Sequence, residues 1–220
     1  MGLNKFIDHT LLKATATKND IIHLCEEAKE YQFFSVCVNS SYIKLAKKHL
    51  KKSGVKVCGV VGFPLGAMST KAKVYEAKKA IKDGADEIDM VINVGFLKGE
   101  SFKIVEKEIR AIKKIMPKKV LKVILETCYL NDDEIIKASE LALNAKADFI
   151  KTSTGFGTRG ASLEDVKLMQ RVAGTKMKIK ASGGIKDAKT AQQYIDLGVE
   201  RLGTSSGIAI ISGKESKSDY

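Results

Sequence analysis

The chain has 220 residues, 44% of them hydrophobic, and only 2 prolines, which suits one globular domain with a sizeable core. Its net charge is +12, yet only four of its 38 basic residues are arginines: Arg110, Arg159, Arg171 and Arg201. Arginine is the usual bidentate reader of bases and phosphates, and the lysines are spread along the chain, so the charge favours steering of a small anionic substrate over nucleic-acid binding.

No run of 18 apolar residues occurs and the N-terminal stretch lacks an apolar core, so neither a membrane span nor a secretory signal is expected. Cys25, Cys37, Cys58 and Cys128 show no C-x-x-C spacing; free thiols in a reducing cytoplasm are expected. His9, His23 and His49 have no metal-ligand spacing. No metal or cofactor is expected.

Short apolar runs alternate with amphipathic stretches along the whole chain. Residues 6–10 read as a strand, followed by a helix capped by Thr17 or Asn19. Residues 35–39 form a second strand, and 40–52 a lysine-studded helix. A β-branched run over 55–63 is ended by Pro64 and Gly66, and Ser69 caps a helix through Lys82. Residues 87–93 give a fourth strand, 101–116 a helix, and 119–126 a fifth strand. Asn131 opens an acid-rich helix start, as the helix dipole prefers, and that helix runs to about Lys146. Residues 148–153 are a sixth strand, and Ser162-Leu-Glu-Asp165 opens the next helix as a capping-box variant. Strand 176–181, helix 187–197, strand 201–204 and a short helix from Ser206 complete the series.

Eight strand–helix units in this length predict an α/β chain folded as a compact single-domain TIM (β/α)8 barrel. A doubly wound open sheet is the structural alternative; it calls for fewer strands and a Gly-rich first turn. The barrel is expected over residues 1–211, with a polar tail over 212–220.

Four consecutive strands each carry an ionisable residue: Asp89, Lys122, Lys151 and Lys180, at spacings of 33, 29 and 29 residues. Alternate residues of a barrel strand face the lumen, and neighbouring strands lie about 4.8 Å apart. Three ammonium groups and one carboxylate are therefore expected at one height in one pocket. A lone strand lysine usually snorkels to solvent; four ionisable residues in register within an apolar barrel point to a site. Like charges and desolvation disfavour an ammonium, so one lysine is expected to fall from about 10.4 towards about 7–8. A neutral lysine attacks carbonyls and forms a Schiff base. The second lysine then stays charged, and Asp89 supplies a carboxylate for proton shuttling. Such a group suits carbon–carbon bond chemistry beside a carbonyl.

Ser182-Gly-Gly184 follows the seventh strand, and Gly203-Thr-Ser-Ser206 follows the eighth. TIM barrels often bind phosphate there, where glycines let backbone N–H groups approach an anion. Gly183, Gly184, Gly203, Ser205 and Ser206 are the candidates. Ser153 and Thr154 are expected to line the site. Cys37 and Cys128 read as small core or pocket-wall residues.

The chain resembles the deoxyribose-phosphate aldolases, a class I aldolase family, over nearly its whole length. The resemblance is carried by Ile7-Asp-His-Thr-Leu-Leu12, Val36-Cys-Val-Asn39, Gly62-Phe-Pro-Leu-Gly66, Glu87-Ile-Asp-Met-Val-Ile-Asn-Val-Gly95, Lys122-Val-Ile-Leu-Glu-Thr127, Phe149-Ile-Lys-Thr-Ser-Thr-Gly155 and Lys180-Ala-Ser-Gly-Gly184. It implies reversible cleavage of 2-deoxy-D-ribose 5-phosphate to D-glyceraldehyde 3-phosphate and acetaldehyde. It implies Lys151 as the Schiff-base lysine, Lys180 as the lysine that perturbs it, and Asp89 as proton donor and acceptor. Asp8, Lys122, Cys37, Thr152 and Thr154 fall in the supporting pocket, and Gly184, Ser205 and Ser206 at the phosphate. It also implies a homo-oligomer, dimer or tetramer. Gly157-Thr-Arg-Gly160 departs from the family's glycine-richer version, leaving Arg159 as a phosphate contact or a solvated residue. Tyr220 is a candidate lid, with an unattached end as the alternative. A non-covalent phosphate-binding barrel isomerase and a basic nucleic-acid-binding protein are the competing functions.

Overall fold

A computed structural model describes residues 2–214 of the chain. Eight parallel strands pair in chain order and the last closes on the first. They alternate with helices in the order β1 (Ile7–Leu11), α1 (Lys18–Glu30), β2 (Ser35–Val38), α2 (Ile43–His49), β3 (Lys56–Val61), α3 (Thr70–Lys82), β4 (Glu87–Val91), α4 (Val94–Lys98), α5 (Phe102–Ile115), β5 (Val120–Ile124), α6 (Asp132–Asn144), β6 (Phe149–Lys151), α7 (Leu163–Ala173), β7 (Lys178–Ser182), α8 (Ala188–Asp196), β8 (Arg201–Thr204) and α9 (Gly207–Ile211). This is a (β/α)8 barrel.

Side-chain caps fix where most of the longer helices begin. Thr17, rather than Asn19, caps α1 in a reciprocal box with Asp20, and Asn131 does the same for α6 with Glu134. Ser69, Ser162 and Asp187 cap α3, α7 and α8. Each cap satisfies an orphan N–H of the first turn. Helix α5 buries Val105, Ile109 and Ile112, one stripe at helical spacing, against the sheet.

Several boundaries differ from the sequence reading. The lysine-studded helix is shorter, because residues 40–42 form a 3-10 turn ahead of α2. Strand β4 ends at Val91, because the Asn93 side chain accepts the Phe96 N–H and starts the unanticipated helix α4. Strand β6 has only three residues and ends at Lys151.

Most of the apolar core lies between the outer strand faces and the helices. A smaller cluster of Leu12, Cys37, Cys58 and Val60, with Phe63 against it, covers one wall of the lumen. Buried charged side chains occupy much of the rest of the lumen.

Candidate active site

The pleat places Asp8, Ser35, Cys37, Cys58, Glu87, Asp89, Lys122, Lys151, Lys180, Ser182 and Arg201 on lumen-facing positions of the strands. Asp89 is level with Lys122, and Lys151 is level with Lys180. The four residues do not share one height, however. Lys122 pairs with Phe149, and Ile124 pairs with Lys151. Lys151 therefore stands two residues nearer the C-terminal mouth than Lys122. The stagger that closes any barrel produces this offset.

Asp89 is the meeting point. Its Oδ2 accepts from Lys180 Nζ at 2.8 Å and from Lys151 Nζ at 3.0 Å. Its Oδ1 accepts from Lys122 Nζ at 2.9 Å and from the Cys58 thiol at 3.1 Å. Burial alone would push the Asp89 carboxyl up, but Lys122, Lys180 and Lys151 outweigh it and hold the group well below the usual carboxylate range. Asp89 is thus a fixed carboxylate.

Beneath it lie Asp8, expected in the supporting pocket, and Glu87 and Arg201, which the sequence did not mark as lumen charges. Asp8 Oδ2 lies 2.6 Å from Lys180 Nζ, and Asp8 Oδ1 accepts from Ser35 Oγ at 2.7 Å and from Arg201 Nε at 2.8 Å. Arg201 also pairs with Glu87, at 3.1 Å through Nη1 and 2.8 Å through Nη2, and Glu87 accepts from Lys122. The Arg201 guanidinium stacks 3.5 Å from the Phe34 ring centroid. Glu87 and Arg201 open their strands, so their lumen positions follow from two-residue alternation with Asp89 and Gly203; the sequence reading did not extend the alternation that far.

These carboxylates change the charge balance expected from sequence. Burial disfavours the Lys180 ammonium, yet Asp8 and Asp89 outweigh it, and its proton is held more tightly than on an ordinary lysine. Lys122 is raised as well, by Asp89, the Cys58 sulfur and Glu87 against the cost of burial. Two of the three lumen lysines are therefore fixed ammonium ions. Crowding does not drive them neutral, because three carboxylates stand where one was counted.

A cleft opens above this network. Lys151 lines it, while Lys122, Lys180 and Asp89 are sealed below at 0% exposure. Thr154, Gly183, Gly184, Gly203, Ser205 and Ser206 line the same cleft, joined by Thr10, Ser182 and Lys186, which the sequence reading had not singled out for it. Gly203 leaves room for the network: a Cβ there would lie 2.2 Å from Ser182 Oγ and 2.9 Å from Lys180 Cε. Ser182 Oγ is buried and makes no hydrogen bond in the structure, so the cleft presents a hydroxyl to a polar ligand. The backbone at Gly183 and Gly184 is left-handed, with φ of 86° and 77°.

The remaining candidates have other placements. Thr152 does not line the cleft; its hydroxyl accepts the Ser182 N–H at 3.1 Å and ties β6 to β7. Cys37 is buried in the apolar lumen wall. Thr154 is held by Glu126, whose carboxylate accepts both the Thr154 N–H and its hydroxyl. Glu126 itself sits in the left-handed region at φ 56°, a strained position that marks the mouth of β5. Arg159 is solvent-exposed, as one of the two expectations had it, and is not turned to the cleft: Asp165 binds it at 2.5 and 3.1 Å. Ser153 does not line the cleft. Tyr220 lies outside the described residues.

Cys37, Cys58 and Asp89 offer donor atoms within 4.8 Å of one another. Three ammonium groups already occupy the carboxylate, and burial pushes the Cys58 thiol well up. Both features oppose a cation there.

The chain matches the model of the DeoC/LacD family of aldolases over residues 3–213. It is 58% identical over 213 residues to a deoxyribose-phosphate aldolase of Finegoldia magna, covering 97% of this chain and 100% of that protein. It is 54% identical over 217 residues to a deoxyribose-phosphate aldolase of Thermococcus gammatolerans, covering 97% and 96%. In structure it superposes with a TM-score of 0.89 and 33% identity on a tetrameric deoxyribose phosphate aldolase of Aeropyrum pernix, covering 96% of this chain and 89% of that one. With its barrel, its lysine–carboxylate network and a match spanning nearly all its residues, the chain belongs to the DeoC/LacD family of aldolases.

Proposed function

We propose that the chain is a class I aldolase that reversibly cleaves 2-deoxy-D-ribose 5-phosphate to D-glyceraldehyde 3-phosphate and acetaldehyde through an imine on Lys151. One observation carries the reading: among the three lumen lysines, only Lys151 lines the cleft that residues at the ends of β7 and β8 also line. The phosphate of the substrate rests on backbone N–H groups around Gly183, Gly184, Ser205 and Ser206, with Lys186 adding positive charge.

The neutral Lys151 amine attacks the aldehyde carbon of the open-chain sugar, and loss of water leaves an iminium. The iminium accepts the electron pair of the bond between C2 and C3 as the C3 hydroxyl gives up its proton. Glyceraldehyde 3-phosphate departs, the enamine takes a proton at C2, and hydrolysis releases acetaldehyde. Asp89 Oδ2 touches both Lys151 and Lys180, so it offers a path by which protons move between the two amines.

The substrate class of the relatives supports a small phosphorylated sugar here. The tetrameric Aeropyrum relative supports a homo-oligomer. Free thiols at Cys25, Cys37, Cys58 and Cys128 suit a cytoplasmic location, and among the described residues no helix is long and apolar enough to cross a membrane. The test is a coupled assay of glyceraldehyde 3-phosphate release from 2-deoxy-D-ribose 5-phosphate. The wild-type chain turns over and Lys151→Ala does not; turnover retained by a folded Lys151→Ala protein would overturn the reading.

A further inference from the structure

The ion pairs of the lumen form a closed circuit. Arg201 binds Asp8, Asp8 binds Lys180, Lys180 binds Asp89, Asp89 binds Lys122, Lys122 binds Glu87, and Glu87 returns to Arg201. Three cations alternate with three anions, so the circuit is electrically neutral. Lys151 hangs on it through Asp89 alone. Asp89 is already shared by two other ammonium groups.

We propose that Glu87 and Arg201 are positioning residues for the reaction: by closing this neutral ring at the floor of the barrel, they leave Lys151 as the surplus cation of the lumen and so set how readily it gives up its proton. The inference rests on the aldolase reading only for why that matters. With the ring closed, protonated Lys151 makes the lumen positive by one charge, and the neutral amine restores balance. A network one carboxylate richer would hold Lys151 as an inert ammonium.

Asp8, Asp89, Lys122 and Lys180 act as described, and Glu87 and Arg201 act through them. Cys37 and Cys58 face the lumen from β2 and β3 and are buried. Above the ring, Lys186 lines the cleft and Glu126 binds Thr154. Both lie outside the circuit and are unchanged by the variants below.

The sign of the effect separates this role from a merely structural one. Glu87→Gln keeps the shape and an acceptor but leaves the ring positive, which disfavours protonated Lys151. Arg201→Met leaves the ring negative, which favours it. A unit charge about 10 Å away at an effective dielectric of about 20 moves a titration by about one pH unit.

The experiment is competitive labelling of the full chain with acetic anhydride across pH, reading the Lys151 peptide by mass spectrometry, with near-UV circular dichroism as the check of folding. The onset of labelling is expected about one pH unit lower in Glu87→Gln and about one unit higher in Arg201→Met. It should return close to the wild-type position in the double variant and in Arg201→Lys. Onsets that stay put, or that move in the same direction in both folded variants, overturn the inference. If Arg201→Met does not fold, an unmoved onset in Glu87→Gln overturns it alone. Labelling reports the amine whatever reaction it serves. A wild-type protein whose Lys151 titrates but never traps acetaldehyde under borohydride would therefore sink the aldolase reading and leave the ring standing.

Discussion

Lys151 stands two residues higher in the barrel than Lys122, although the two side chains reach opposite oxygens of the same carboxylate. The offset divides their chemistry. Lys122 is sealed in the lumen between Glu87 and Asp89, while Lys151, 2% exposed, borders the cleft. Lys151→Ala is expected to abolish turnover while leaving the fold intact, since it removes a surplus charge. Lys180→Met is expected to lower kcat by about 10²–10⁴, the range for a lost acid–base partner, and to destabilise the protein because Asp8 loses an ion pair. Steady-state kinetics with unfolding curves on both variants would check this; equal effects on kcat and stability would contradict it.

The ring also predicts how stability follows pH. Asp8 and Asp89 are held below the ordinary carboxylate range by the cations around them, against the opposing push of burial. Their contribution is present above the unfolded value of about 3.9 and is lost as pH falls towards their folded values. Lys122 and Lys180 are raised, so theirs is fully present below about 10.4 and is lost as pH rises through the folded values. Thermal unfolding should show a broad plateau between about pH 4 and 10, falling on the acid side. A midpoint that rises from pH 5 to pH 3 would contradict the assignment.

Gly203 separates site geometry from fold stability. A methyl group there meets Ser182 Oγ at the cleft wall and Lys180 Cε in the lumen below it. Gly203→Ala is expected to displace the Lys180 side chain and reduce kcat at least tenfold, with a stability loss of about 1–3 kcal/mol from overpacking. An active-site assay alongside urea unfolding tests this; full activity in the variant would contradict it.

Outside the barrel, Lys73 of α3 is wholly buried and binds Glu108 of α5 at 2.7 Å and the Val91 carbonyl at 2.8 Å. Burial presses both side chains towards their neutral forms, so the pair is costly, and removing one partner costs more. Lys73→Met is expected to lose about 3–5 kcal/mol while the kcat of the folded protein changes little. An unchanged urea midpoint would refute the account of this pair.

Much of this was legible in the sequence, for physical reasons. The βα period and the capping residues gave the barrel, because parallel buried strands and amphipathic helices write distinct hydrophobic patterns. The βα spacing put Asp89, Lys122, Lys151 and Lys180 on neighbouring strands, and the glycines after β7 and within the end of β8 marked a rim that the structure brings beside Lys151. What failed was height and charge count. Barrel stagger depends on pairing between strands distant in sequence, so nothing near Lys122 reveals that its partner is Phe149. Glu87 and Arg201 begin their strands, where a charged residue reads as a solvated end; closure of the barrel turns both inward. Arg159 was ambiguous because its partner Asp165 belongs to the following helix, across a loop without periodicity.

The central claim is that Lys151 is the amine that bonds to substrate. Incubating the wild-type chain with acetaldehyde and sodium borohydride, then mapping the product by mass spectrometry, tests it most directly. The account predicts one reduced ethyl adduct, on the Lys151 peptide, with loss of activity in proportion to labelling. An adduct on Lys122 or Lys180 instead, or none under conditions of full turnover, would contradict it.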